Sequence, residues 1–373
     1  DYVGPNYWFT DTENGGAYGF NTETGPGAQL PVRESIEKFV PADELWPLGE
    51  SMDYHCTTAA NMNSLKVMTE VVNAKYGEAT DLDDYLKKAD LAAYESTRSM
   101  FEAFRVNKSG SGLTDGKPAT TGLIQWMLNS AWPSMYWQLY DYYGIPTSSY
   151  YGVKRANNPY QLVFNYADDG IYLVNELGDA AAGMTARIEV YNMDSERTLL
   201  EREKEISSPA NSSIKITEIE RPAEGVFFLS LKLQDADDRQ IADNFYVLTA
   251  RDDVHDYANN EWYMTPISEY ADFRPLADMA PATIDFSAVY EGDKVRVTLE
   301  NPSKSVAFFT TLKLKDSKGE MVCPAFWSDN YISLLPGETR TVECLIEKSG
   351  PDARKLSVEV SGWNVGRSSL KVK

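Results

Sequence analysis

The chain has 373 residues, with 56 acidic side chains against 35 basic ones and a formal net charge of −21. A phosphate backbone is gripped by clustered Lys and Arg, so this balance argues against a nucleic-acid partner. No run of about 18 apolar residues is present to cross a membrane as a helix, so no membrane partner is expected. Apolar residues at 43% and a length of two or three domains fit a soluble globular protein with real cores. No basic-then-apolar leader opens the sequence, as in a mature chain that has lost one.

In chain order, Pro31 opens a short helix over Val32 to Val40, where its missing N–H is not needed. Met62, Leu65, Met68 and Val72 recur at helical spacing and predict a helix from Thr57 to Lys75, stopped by Gly77. Thr80 is read as the cap of a third helix, Asp81 to Val106, with Asp81 and Asp83 favouring the dipole in its first turn. Ser109 to Gly116 reads as a flexible loop, Gly122 to Asn129 as one buried strand, and Ser134 to Tyr143 as an aromatic-rich helix. The cluster Tyr136, Trp137, Tyr140, Tyr142 and Tyr143 would then sit mostly in core. Helices alternating with buried strands predict part of a parallel sheet or barrel over residues 1–158.

After Pro159 the pattern becomes strand–turn. Gln161 to Tyr166, Gly170 to Asn175, Ala186 to Tyr191, Gly225 to Leu233 and Asn244 to Leu248 form one set, ending at a break near Tyr270 to Pro281. Thr283 to Phe286, Lys294 to Leu299, Ala307 to Leu314, Arg340 to Ile346 and Leu356 to Val360 form a second. Residues 159–272 and 273–373 therefore read as two immunoglobulin-like β-sandwiches. The expected fold class is α/β plus all-β.

Chemistry is sparse in the usual places. Cys56, Cys323 and Cys344 show no metal-binding spacing and the histidines are His55 and His255 alone, so a zinc site built on Cys and His is not expected. Cys56 beside His55 makes a poor nucleophile pair, since adjacent side chains rarely face each other. Cys323 and Cys344 share one β-rich stretch and either pair, in an exported protein, or stay as two buried thiols. Aromatics are uneven: residues 1–158 hold 23 of the 45 and five of the eight Trp. Aromatic faces with polar neighbours suit the apolar C–H faces of sugars, and they also simply fill cores. The sharpest segment is Gly19-Phe20-Asn21-Thr22-Glu23-Thr24-Gly25-Pro26-Gly27, a carboxylate ending a short apolar stretch before a Gly/Pro turn. Strand ends of a barrel face its active site, and glycosides are cleaved by paired carboxylates, one of them a nucleophile. Taken alone, Glu23 is also an ordinary solvated loop residue.

Several motifs recur together and in order. They are Asp1-Tyr-Val-Gly-Pro-Asn-Tyr-Trp8, the Phe20-Asn-Thr-Glu23 segment, Leu45-Trp-Pro47, Asp53-Tyr-His55, Gly122 to Ser134, Tyr151-Gly-Val-Lys-Arg-Ala-Asn157 and Asp243 to Leu248. On these the chain resembles the C-terminal portion of glycoside hydrolase family two, most of all the exo-β-D-glucosaminidase branch, with β-mannosidases as relatives. The resemblance implies the C-terminal part of a TIM (β/α)8 barrel followed by the two sandwiches. It implies Glu23 as the nucleophile of a retaining, exo-acting hydrolase that releases β-linked glucosamine from chitosan-type oligosaccharides and needs no metal or organic cofactor. Trp126, Asn129 and Trp132 would line the sugar subsite, joined by Trp8, Trp46, Asp53 and His55 from neighbouring loops. The acid/base carboxylate and the earlier barrel strands lie upstream of this sequence in the family. The implied partners are therefore the oligosaccharide substrate and the N-terminal half of the same enzyme, without which the chain would be inactive. Breakdown of external polysaccharide implies a periplasmic or secreted setting. A β-mannosidase-type glycosidase and a non-catalytic carbohydrate-binding or scaffolding piece are the alternative functions.

Overall fold

The computed structural model describes residues 2–59, 62–109, 116–261, 263–346 and 355–373. The first region carries the helices α1 (Tyr7–Thr10), α2 (Arg33–Ile36), α3 (Glu50–Tyr54), α4 (Lys66–Tyr76), α5 (Leu82–Val106) and α6 (Ser148–Ala156). Its strands are β1 (Phe20–Thr24), β2 (Gly122–Gln125), β3 (Met127–Asn129) and β4 (Gln138–Tyr140). β1 pairs β2 and β3 pairs β4, both parallel, and between β1 and β2 the chain passes through α4 and α5. The described residues form these two parallel pairs and no closed barrel.

Helix α5 is the spine of the molecule. Asp81, not Thr80, caps it, its carboxylate accepting the Asp84 N–H at 2.9 Å. Leu82, Tyr85, Leu86, Ala89 and Tyr94 join one core, and Met100, Ala103, Phe104 and Val106 join another. One continuous helix thus fastens both sandwiches to the first region.

The first sandwich comprises β5 (Tyr160–Asn165), β6 (Gly170–Asn175), β7 (Ala181–Tyr191), β8 (Arg197–Ser208), β9 (Ser212–Glu218), β10 (Val226–Gln234) and β11 (Gln240–Thr249). The order is β5-β6-β9 in one sheet and β11-β10-β7-β8 in the other. Leu162, Phe164, Ile171, Leu173, Ile188, Leu229 and Tyr246 fill the space between them. A short pair, β12 (Val254–His255) with β13 (Ile267–Glu269), leads to the second sandwich. That one comprises β14 (Asp285–Glu291), β15 (Lys294–Glu300), β16 (Ala307–Lys315), β17 (Ala325–Trp327), β18 (Ile332–Leu334), β19 (Thr339–Ile346), β20 (Ser357–Ser361) and β21 (Ser368–Lys371). Its sheets run β14-β15-β19-β17 and β18-β16-β20-β21.

Several expectations change. Ser134 to Tyr143 is not a helix: Trp137 sits at φ +61, which no α-helix admits, and Gln138–Tyr140 pairs with β3. Gly122 to Asn129 is two short strands rather than one buried one, broken where the Trp126 N–H turns to the Thr24 carbonyl at 2.7 Å. The helix expected from Thr57 begins only at Lys66. All three cysteines are free, Cys344 buried but Cys323 exposed, so neither the pair nor two buried thiols is found. The expected Ser109 to Gly116 loop falls mostly outside the described residues.

Candidate active site

Glu23 lies where the β1–β2 register slips. Asn21 faces Leu123 and Thr24 faces Gln125, so Thr22 and Glu23 occupy an irregularity that turns the Glu23 side chain to the surface. The Asn21 side chain accepts the Glu23 N–H at 3.1 Å and fixes the strand at that point. The Gly-Pro-Gly turn that follows is needed for close packing. A Cβ on Gly25 would come within 2.9 Å of Gln125 Nε2, and one on Gly27, at φ +33, within 3.1 Å of the Tyr2 Cα.

Trp126 is tied directly to this point, its N–H donating to the carbonyl of Thr24, the residue after Glu23. The residue is 47% exposed. Asn129, also exposed, follows on β3 opposite Tyr140. A second group forms around His55. Its ring stacks on Trp132 with centroids 4.9 Å apart and meets Phe39 at 4.4 Å, and Tyr54 packs edge-on against both His55 and Trp132. His55 Nδ1 donates to the Pro133 carbonyl at 2.8 Å, which fixes the ring orientation. Tyr54 is 74% exposed, so these rings form an open aromatic platform. Tyr54, inside the Asp53-Tyr-His55 motif, and Phe39 join this group although neither was singled out by the sequence as a site residue.

Three expected residues are held in other contacts. Trp8 is 5% exposed, locked edge-on against Tyr7 in the core under α5. Trp46 packs half-buried toward Tyr85 on the other core. Asp53 accepts the Leu65 N–H at 2.9 Å and anchors the approach to α4. Cys56 is no nucleophile: burial, and then Asp53, push its thiol up to about 12. Among the described residues no cluster of three His, Cys, Asp or Glu side chains is placed to hold a metal ion.

The face around Glu23 is unusually apolar. Ile124 is 52% exposed and Leu128 63%, and Phe20 on β1 and Trp126 between β2 and β3 are exposed as well. Parallel strands are ordinarily covered on both faces, and a two-stranded pair does not stand alone. An exposed carboxylate on a strand whose neighbourhood carries exposed aromatic and apolar side chains can present a charged oxygen to a ring whose C–H face rests on an aromatic.

Comparison with known proteins bears on this surface. Residues 262–365 match the model of the exo-β-D-glucosaminidase Ig-fold domain, and residues 170–250 that of the mannosidase Ig/CBM-like domain. An exo-β-D-glucosaminidase of Streptomyces avermitilis is 34% identical across 99% of this chain, and one of Arthroderma benhamiae 35% identical across 99%. The chain is homologous along its full length to the exo-β-D-glucosaminidases. It spans only 42% of either relative. The exo-chitosanase CsxA of Amycolatopsis orientalis, solved in complex with PNP-β-D-glucosamine, superposes with a TM-score of 0.91 at 31% identity, covering 100% of this chain and 45% of CsxA.

Proposed function

We propose that this chain is the nucleophile-bearing part of a retaining, exo-acting glycoside hydrolase of family two that releases β-linked glucosamine. The observation that carries the reading is Glu23, a surface-turned carboxylate at a strand irregularity beside Trp126, in a chain homologous along its full length to exo-β-D-glucosaminidases. Residues 1–158 are then the end of a (β/α)8 barrel, with β1 and β2 as parallel barrel strands and α5 as the crossover between them. Residues 159–272 and 273–373 are the sandwiches that brace it. The exposed apolar face of β1–β3 is where the upstream barrel strands would lie, which explains Ile124, Leu128 and Phe20 at the surface.

In this mechanism the Glu23 carboxylate attacks the anomeric carbon. The glycosidic oxygen leaves with a proton from an acid on the upstream part, and a covalent glycosyl ester forms on Glu23. The same upstream group then takes a proton from water, which attacks the anomeric carbon and frees Glu23 with net retention. The two carboxyl groups should stand about 5–5.5 Å apart. Trp126, Trp132 and His55 supply stacking faces and Asn129 a hydroxyl partner. The formal charge of −21 favours a substrate bearing ammonium groups. Secretion or a periplasmic setting fits a polymeric substrate. The mannosidase-type model over residues 170–250 keeps a β-mannosidase as the rival reading.

The test is hydrolysis of paired aryl β-D-glucosaminide and β-D-mannoside substrates by the complete enzyme, wild type against Glu23→Gln. The expected result is preference for the glucosaminide and a loss of about 10³-fold or more in the variant, some 4 kcal/mol of transition-state stabilisation. A mannoside preference would move the enzyme to the rival class. An active Glu23→Gln would overturn the nucleophile and favour a carbohydrate-binding role.

A further inference from the structure

The loop that follows Glu23 is stitched to a distant segment by two glutamines, and both stitches meet at one strained residue. Gln29 is fully buried. Its Oε1 accepts the Trp137 N–H at 2.6 Å, and its Nε2 donates to the Pro26 carbonyl, three residues beyond Glu23. From the other side, Gln125 at the end of β2 donates its Nε2 to the Trp137 carbonyl at 3.4 Å. Trp137 therefore has both its backbone groups held by glutamine side chains while it sits at φ +61, a conformation large side chains rarely adopt. Around this point Ala28 bridges Tyr136, and Gln138 donates to the Gln29 carbonyl at 3.4 Å and to Ser134. The missing side chain of Gly25 makes room for the Gln125 carboxamide, 2.9 Å from where its Cβ would stand.

These bonds close a ring: β2 through Gln125 to Trp137, Trp137 through Gln29 to Pro26, and Pro26 back along the chain to Glu23 and its β1–β2 pairing. We infer that Gln29 is a positioning residue for Glu23, acting with Gln125 through the Trp137 backbone to hold the strand end from which the carboxylate projects. The inference rests on the functional reading of Glu23 given above. Its physical logic is that a carboxylate on a short, two-stranded, irregular pair has little else to fix it. A displacement of about 1 Å at an attacking group costs about 10²-fold in rate. A leucine at position 29 keeps the volume and loses both bonds. A glutamate keeps the acceptor toward Trp137 but faces the Pro26 carbonyl with a lone pair, until protonation restores a donor there.

The experiment uses the complete enzyme with an aryl β-D-glucosaminide. Gln29→Leu is expected to lower kcat about 100-fold while KM changes less than about threefold, the split of a misplaced nucleophile rather than a lost binding contact. Gln29→Glu is expected to be impaired at neutral pH, with its activity relative to wild type rising as pH is lowered. The folded fraction, read by circular dichroism at each pH, is expected to stay constant through that recovery, whereas a merely structural role would move the two together. If Gln29→Leu does not fold, the Gln29→Glu profile decides: a ratio flat with pH overturns the inference. A fully active Gln29→Leu beside an inactive Glu23→Gln overturns this inference alone. An active Glu23→Gln overturns the functional reading and the inference with it.

Discussion

Two surfaces of the first region are built on opposite terms. Toward the sandwiches, charge is buried and partnered. Arg98 lies inside, donating to Asn244 at 3.2 Å, to the Phe245 carbonyl at 2.7 Å and to Glu95, with its guanidinium 4.0 Å over the Tyr246 ring. Glu102 accepts from Asn244 at 2.7 Å and from Tyr246 at 3.0 Å. Lys75 meets Asp253 at 2.5 Å, and Arg155 and Arg340 share Asp243 and Asp329. On the Glu23 side the reverse holds: apolar rings and strands face outward around an open carboxylate. The first surface is a finished interface whose polar groups find partners across it. The second has the composition of an interface but no cover among the described residues, and it is the one that carries the chemistry proposed here.

The finished side breaks most severely at Arg98. Removing it leaves Glu95 and Glu102 buried with no cation between them. Burial already pushes Glu95 up to about 7 against the pull of Arg98. Arg98→Met should cost about 3–5 kcal/mol, as for other buried pairs broken on one side. Urea unfolding at neutral pH measures this, and a change below about 1 kcal/mol would mean the seam contributes nothing to stability. Replacing Arg98, Glu95 and Glu102 together by apolar residues should recover much of the loss, because no uncompensated charge then remains.

A smaller break comes from pH at the linker between the sandwiches. His255 accepts the Gly4 N–H on Nε2 at 3.1 Å, which only a neutral ring can do. Burial, with Lys75 adding to it against Asp253 and Asp11, lowers its pKa to about 4. The folded value lies below the ordinary 6.5, so the unfolded chain binds the proton more readily between these limits. Stability therefore falls as pH drops from 6.5 toward 4 and levels off below, by about 3 kcal/mol in all from this one group. Asp90 and Glu95, both raised to about 7 by burial, work in the opposite sense over the same range. The measurement is therefore the difference between wild type and His255→Gln, whose amide keeps an acceptor without titrating. A difference that does not change between pH 7 and pH 4 would show that His255 takes up its proton alike in the folded and unfolded chain.

The contrast between the two sides also marks what could be read from sequence. The sandwich strands were legible wherever one face is core, as in Lys294–Glu300, with its alternating Val295, Val297 and Leu299. β8 was missed because Arg197–Ser208 is an edge strand rich in charge, the pattern that keeps an edge from pairing with a neighbour and that mimics a solvated helix. Ser134 to Tyr143 was misread for another reason. Its aromatics recur at spacings that fit a helix as well as a strand, and what decides is the capture of the Trp137 backbone by Gln29 and Gln125, far off in sequence. In the candidate site, Glu23 and Trp126, both singled out by motif, come together across one parallel pair. Trp8 and Trp46 were not separable from them, since a tryptophan in a core and one on a sugar platform look alike until burial is known.

The mildest way to sharpen the comparison is at Ile124, on β2 next to the proposed nucleophile strand. In the described structure it is 52% exposed, and a surface isoleucine replaced by serine changes stability by no more than about 0.5 kcal/mol. If the upstream barrel strands lie on this face, the side chain is buried in the complete enzyme. Ile124→Ser should then cost about 1–2 kcal/mol, the transfer value of the half that the cover removes from water together with the unfilled space. Denaturant midpoints of the complete enzyme, wild type against Ile124→Ser with Ile241→Ser on the sandwich surface as the control, separate the two cases. A loss at Ile124 no larger than at Ile241 would leave the apolar face open even in the whole protein. It would then have to be read as a binding surface in its own right and not as the seam of a barrel.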